Sequence, residues 1–274
     1  MRSFDWIIYA LVLGVLVTTV FAGDRSADAP APMPNISAAE DGPMLPPPSI
    51  LDEQVLVQVD APKDGIGTAF AVNKKGQWIT ARHVVDGCDS VGLLVGPNQY
   101  VPVSEVTLDT EHDLALLQTG RSPNSVTFDL GSPLKIGSKG FLVGYPQGVP
   151  GEVATRLMSR SKLISRGRRT GEEEILAWAE IGRTKGLNGS LGGISGGPLF
   201  DSDGEVRGVV VAESPRRGRI YTAAPNSIEA FLTKADIATQ DGPIQAFDTD
   251  SYGSLSDSAR RKLQVVKVAC KVIP

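Results

Sequence analysis

Twelve short runs of β-branched and aliphatic residues, bounded by Gly, Pro, Asn or Asp, restrict what this 274-residue chain can fold into. Six come first: Val55–Asp60, Gly67–Val72, Trp78–Ala81, Val91–Val95, Tyr100–Val106 and Leu114–Gln118. Six more come later: Lys139–Tyr145, Val153–Ser159, Ile175–Ile181, Pro198–Asp201, Val206–Val211 and Ile220–Ala223. Runs this short with this punctuation read as strands, and no helical period separates them, so the chain is expected to be an all-β sandwich or barrel. The abundance of Gly (30) and Pro (19) suits the tight turns such a fold needs. Helical spacing occurs at 227–234, where Asn226 or Ser227 could cap the first turn. Beyond it, a polar stretch ends in the strand-like Gln264–Ile273.

The N-terminus differs in kind. Trp6 to Gly23 is a run of 18 uncharged residues, long enough to cross a bilayer as a helix. It is read as an uncleaved anchor, with cleavage after Ala22 as the alternative, and either directs the rest of the chain across a membrane. Residues 24–50 are rich in Ala, Pro, Asp and Ser and cannot bury enough apolar surface to offset their ordering entropy, so they read as a spacer. The expected organisation is therefore an anchor or signal over 1–23, a linker over 24–50, a folded domain over 51–235 and a C-terminal extension over 236–274. A net charge of −4 gives no pull toward nucleic acid. Two cysteines, Cys88 and Cys270, are either one staple or two buried thiols. With two histidines and no ligand spacing, neither a metal nor a cofactor is expected.

Three stretches carry chemistry. In Gly192-Gly193-Ile194-Ser195-Gly196-Gly197-Pro198, glycines crowd one serine just before an apolar strand. A nucleophile needs an open turn with backbone amides facing the same space, and glycine permits the positive φ and close approach this requires. Trp78-Ile-Thr-Ala-Arg-His83 delivers an imidazole at a strand end, and Asp113 opens the apolar Leu-Ala-Leu-Leu strand. Such an aspartate could accept the Nδ1 proton of His83 and fix its tautomer. His112 is expected to be an exposed turn residue. Arg166–Arg169 and Glu172–Glu174 are expected to be oppositely charged arms of a solvated hairpin.

Thr80-Ala81-Arg82-His83, Asp113-Leu-Ala-Leu and Gly193-Ile-Ser195-Gly-Gly-Pro together resemble the three signatures of the chymotrypsin-like serine proteases, in the bacterial trypsin-like and HtrA/DegS-type branch. The likeness covers roughly residues 50 to 235. It implies two six-stranded antiparallel β-barrels, a short C-terminal helix and an N-terminal transmembrane or signal helix. It also implies a serine endopeptidase with Ser195 as nucleophile, His83 as base, Asp113 as its orienter, and the Gly193 and Ser195 amides as oxyanion hole. Peptides or proteins would be the substrates, met outside the cytoplasmic membrane, in the periplasm of a bacterium; no nucleic acid is expected, and the oligomeric state is left open. Gly189, Ser190 and Ala212 fall where the side chain before the scissile bond would be read. No carboxylate stands six residues before Ser195, so small or medium apolar side chains are expected there.

Departures from the family matter too. Ile194 replaces the usual Asp or Asn, and no Ile-Val-Gly-Gly start lies near Leu51, so activation by propeptide cleavage is not expected. A C-terminal PDZ domain is not expected either. A Cys88–Cys270 staple is hypothesised, five residues past His83. The rival readings are an inactive protease-fold sensor or binding module, a structural membrane-anchored protein, and an esterase.

Overall fold

The computed structural model describes residues 42–97 and 99–273. The expected anchor at 1–23 and most of the expected spacer lie outside the described residues, and among those described no helix is long and apolar enough to cross a membrane.

Among the described residues, fourteen strands form two curled sheets of seven. In chain order they are β1 (Glu53–Val59), β2 (Gly65–Ala71), β3 (Gln77–Ala81), β4 (Ser90–Gly96), β5 (Gln99–Pro102), β6 (Glu105–Leu108) and β7 (Leu114–Gln118). Then come β8 (Lys139–Gly144), β9 (Gly151–Gly167), β10 (Gly171–Arg183), β11 (Pro198–Phe200), β12 (Val206–Ser214), β13 (Arg219–Ala223) and β14 (Val265–Lys271). Among the described residues three α-helices punctuate them: α1 (Arg82–Val85), α2 (Pro225–Lys234) and α3 (Tyr252–Arg261).

The second sheet runs β1-β9-β10-β13-β12-β11-β8, and β8 also pairs with β9. That extra pairing closes β8 to β13 into a six-stranded antiparallel barrel, which removes the unpaired edges an open sheet would expose. β1 lies outside the closure, parallel to β9 from Glu53 opposite Ser161 to Val59 opposite Gly167. The first sheet runs β5-β4-β14-β2-β3-β7-β6. The second sheet thus contains the expected six-stranded barrel with β1 added, and the first holds the six strands β2 to β7 with β14 added. The extra members are the first and last of these strands, exchanged between the halves, and a hydrophobic run cannot signal which sheet it will join.

Expected and observed strands otherwise differ at corners. The run expected at Tyr100–Val106 is two strands at opposite ends of the sheet order, because Pro102 has no N–H to continue the ladder and the chain turns at Val103-Ser104. β9 and β10 extend well past their apolar cores as a long hairpin. α2 starts at Pro225, pre-set for a first helical position, with Ala224 as its N-cap and no side-chain cap.

Each sheet buries one tryptophan whose indole N–H is satisfied by a threonine: Trp78 on Thr119 Oγ1 at 2.9 Å, and Trp178 on Thr222 Oγ1 at 3.0 Å. The largest apolar cluster lies between the sheets. Phe70, Ile79 and Leu114 meet Phe141, Val209 and Tyr221 there, with Ile228 and Phe231 of α2 and Tyr252 of α3 closing over it. Burial of such side chains stabilises by about 1.5–3 kcal/mol each, so the two sheets form one body with a fixed seam. The site lies on that seam.

Candidate active site

His83, Asp113, Gly193 and Ser195 line one cleft of about 480 Å³. The first two come from the first sheet and the last two from the second.

α1 follows β3 directly, burying Val84 and Val85 and leaving His83 toward solvent with 40% of its side chain open. Its first turn has no capping side chain of its own; Asp113 serves instead. Asp113 Oδ1 accepts the His83 amide at 2.9 Å, its carbonyl accepts the Arg82 amide at 3.1 Å, and its Oδ2 meets the His83 ring at Nδ1, 2.6 Å away. Backbone and side chain of Asp113 therefore fix both position and tilt of the imidazole. Desolvation works against a charged His83 ring, but the Asp113 charge and hydrogen bond outweigh it and its pKa rises. Burial likewise disfavours the Asp113 carboxylate, yet the His83 ring and amide and the Arg169 charge hold it below the ordinary range.

The glycines around Ser195 are dictated by close approach. Gly193 has φ +101°, and a Cβ there would lie 2.5 Å from the Tyr145 carbonyl oxygen. At Gly196, φ is +83° and a Cβ would meet Thr80 Oγ1 at 2.2 Å. Ile194 is buried in one cluster with Leu142, Leu191 and Leu199, so an apolar plug anchors the turn. The Gly192 carbonyl accepts the Gln147 amide at 2.5 Å. Among the described residues, the Gly193 and Ser195 amides donate to no other group of the protein. Two free amides on one tight turn can bind a developing oxyanion. No hydrogen bond joins Ser195 Oγ to the His83 ring among the described residues.

Several participants carry no obvious sequence signal. Thr68, fully buried on β2, donates its hydroxyl to the Gly193 carbonyl at 2.8 Å and its amide to the Ser195 carbonyl at 2.8 Å. One residue of the first sheet thus holds both ends of the nucleophile turn. Gln147 sits at φ +53° and gives its side-chain amide to the carbonyls of Asn188 and Ser190, at 2.7 and 2.9 Å. Glu213, also lining the cleft, accepts the Leu191 amide at 2.8 Å and the Ser190 hydroxyl. Of the expected specificity positions, Ala212 lines the cleft, whereas Gly189 and Ser190 do not. A carboxylate, that of Glu213 on β12, stands beside Ser190.

His112 is half-buried rather than exposed, its Nδ1 2.6 Å from Asp109 Oδ2, and it does not line the cleft. The acidic arm of the β9–β10 hairpin divides. Glu172 and Glu174 pair outward with Lys162 and Arg160, as a solvated hairpin would, whereas Glu173 is buried against Asp113. Cys88 and Cys270 form a disulfide with Cα atoms 5.5 Å apart, tying β14 to the segment after α1. Carboxylate oxygens of Asp129, Asp201 and Glu205 converge elsewhere, with Arg207 paired to Asp129 among them.

The sequence profile of the trypsin-like peptidase domain matches residues 67–209. A Halomonas elongata protein described as a probable periplasmic serine endoprotease, DegP-like, is 31% identical over 184 residues, 65% of this chain and 36% of that one. A Haemophilus influenzae protein described as a probable periplasmic serine protease, do/HhoA-like, is 26% identical over 62% of this chain and 36% of its own length. This chain spans about a third of the length of these curated relatives. Among solved structures, the active form of the Rv3671c protease of M. tuberculosis shares the fold with a TM-score of 0.52, at 19% identity over 75% of this chain and 97% of that one.

Proposed function

This chain belongs to the trypsin-like peptidase domain family, and on that premise we propose that it is a serine endopeptidase using Ser195, His83 and Asp113. The observation that carries the reading is the linked set around one cleft: a carboxylate bound to Nδ1 of an imidazole, a serine on a glycine turn, and two unpaired amides on that turn.

In the acylation step, Ser195 Oγ attacks the scissile carbonyl carbon while His83 Nε2 takes its proton. The C–O bond forms, the carbonyl π pair moves to oxygen, and the amides of Gly193 and Ser195 receive that charge. Collapse returns the pair, breaks the C–N bond, and His83 delivers its proton to the leaving amine. Water repeats the sequence on the acyl-enzyme and frees Ser195. Asp113 stays ionised throughout, holding the tautomer and stabilising the imidazolium. Each oxyanion donor contributes roughly 10²–10³ in rate, which is why the Gly192 carbonyl must stay turned toward Gln147.

The substrates are proposed to be proteins or peptides met in the periplasm, as the descriptions of the relatives suggest, with the chain tethered through Trp6–Gly23. Ala212 and Glu213 are proposed to form the wall that reads the side chain before the cut, with Gly189 and Ser190 behind it. The test is hydrolysis of a peptide library by the full chain, wild type against Ser195→Ala. Sequence-selective cleavage by the wild type alone supports the reading. No cleavage by the wild type, or equal cleavage by both, refutes it.

A further inference from the structure

The proposed triad is divided between the two sheets, so something must set the spacing of the His83–Asp113 pair relative to Ser195. Thr68 does so on the serine side, reaching from β2 to the nucleophile turn. On the aspartate side the link runs the other way. Glu173, on β10 of the second sheet, presents both carboxyl oxygens to the backbone amide of Asp113, at 3.1 and 3.0 Å. Its neighbours Glu172 and Glu174 point outward to Lys162 and Arg160, as strand alternation requires, and that alternation sends Glu173 inward, where it keeps only 8% of its surface.

We infer that Glu173 is a positioning residue of the active site, a strut from the second sheet that holds the Asp113 backbone and, through it, the imidazole facing Ser195. The inference rests on the Ser195–His83–Asp113 reading. A neutral hydrogen-bonding residue would serve a merely structural tie at lower desolvation cost. A carboxyl here adds something else: burial, with the adjacent Asp113 charge, pushes its pKa up to about 8. The charged groups facing it are Asp113 and Asp109 from the β6–β7 side and Arg169 from the hairpin tip, and its own charge favours a protonated His83 ring. Below pH 8 Glu173 is a neutral strut. Above it, a second negative charge stands behind Asp113 and favours the imidazolium that forms as Ser195 attacks. Activity should therefore gain an alkaline step, separate from the His83 ionisation.

The test compares full-length wild type, Glu173→Gln and Glu173→Ala. Active-site titration normalises each to its competent fraction. Glutamine retains a carbonyl acceptor for the Asp113 amide but cannot ionise. It should keep kcat within about threefold of wild type at pH 7 and lose the step near pH 8. Alanine should lower kcat at least about tenfold with little change in KM, the mark of lost positioning rather than lost binding. The Asp113 amide resonance in ¹⁵N-labelled protein is a readout that needs neither turnover nor the alanine variant. It should titrate near pH 8 in wild type and stay flat in Glu173→Gln. An amide resonance indifferent to pH in wild type, or an alanine variant with wild-type kcat and pH profile, overturns the inference. A wild type that hydrolyses nothing while its Asp113 amide titrates refutes the protease reading and leaves the strut standing.

Discussion

Gln147 offers a perturbation in which stability and activity should part. Its backbone amide and side chain together hold the Gly192, Asn188 and Ser190 carbonyls, so it fixes the approach to the oxyanion turn from outside. It also occupies the left-handed region at φ +53°, where an L-residue is strained by about 1–2 kcal/mol and glycine is not. Gln147→Ala removes two solvent-facing side-chain hydrogen bonds worth about 0.5–1 kcal/mol each and keeps the strain. Gln147→Gly removes the same bonds and relieves the strain. If those bonds hold the Gly193 amide in place, both variants should lose about 1–2 kcal/mol of transition-state stabilisation, roughly a 5- to 30-fold fall in kcat. Unfolding should tell them apart, with alanine less stable than wild type and glycine level with it or above. Burst-phase titration with kcat on a peptide ester, alongside urea unfolding, measures both axes. A glycine variant with full kcat would refute the role assigned to Gln147.

Four further outcomes are expected. Breaking the Cys88–Cys270 link by double alanine substitution releases a 182-residue separation, worth up to about 5 kcal/mol in loop entropy, so urea midpoints of oxidised and double-alanine protein should differ clearly; coincident midpoints would contradict the link. Arg260 of α3 holds the buried carboxylates of Glu152 and Asp257 at 2.8 and 2.5 Å, and Arg260→Met should cost about 3–5 kcal/mol at pH 8 and less at pH 5, where Glu152, whose pKa burial pushes up to about 7, is protonated. Because Glu152 and Glu173 both carry raised values, to about 7 and about 8, their contribution to wild-type stability is complete below pH 4.5 and is lost as pH rises through those values, so urea unfolding should show less stability at pH 9 than at pH 5.5; a rise across that window would contradict it. Glu213→Gln should lower cleavage after Lys or Arg relative to cleavage after Val by at least about tenfold, and an unchanged library profile would exclude Glu213 from specificity.

Much of this molecule is legible in its sequence because its signals are local. The GGISGGP turn shows itself, since close backbone approach admits only glycine at 193 and 196. A strand such as Leu114–Gln118 forms where its sequence places it, because an apolar run between polar turns has few alternatives. The hidden features depend on long-range pairing. That β14 lies between β2 and β4 is decided by register over some 200 residues of intervening chain, and that β1 joins the far sheet by register over about 110. α3 gives little sign of itself because its buried face is Tyr252, Ser256, Ala259 and Arg260, a polar pattern satisfied by Glu152 and Asp257 rather than by a greasy stripe. Thr68 and Glu173 are hidden for a related reason. A threonine in a strand and a glutamate in an acidic run are ordinary until the opposite sheet supplies the amide or carbonyl they bind. Glu173 does have a weak signal, being the middle of three consecutive acids on a strand, where alternation must turn one inward.

One measurement bears most directly on the chemistry: labelling of the full-length protein with a fluorophosphonate, followed by peptide mass spectrometry. Stoichiometric modification at Ser195, slowed at least about a thousandfold in His83→Ala, is the expected result. A wild type that stays unlabelled, or an adduct on a different residue, would contradict it.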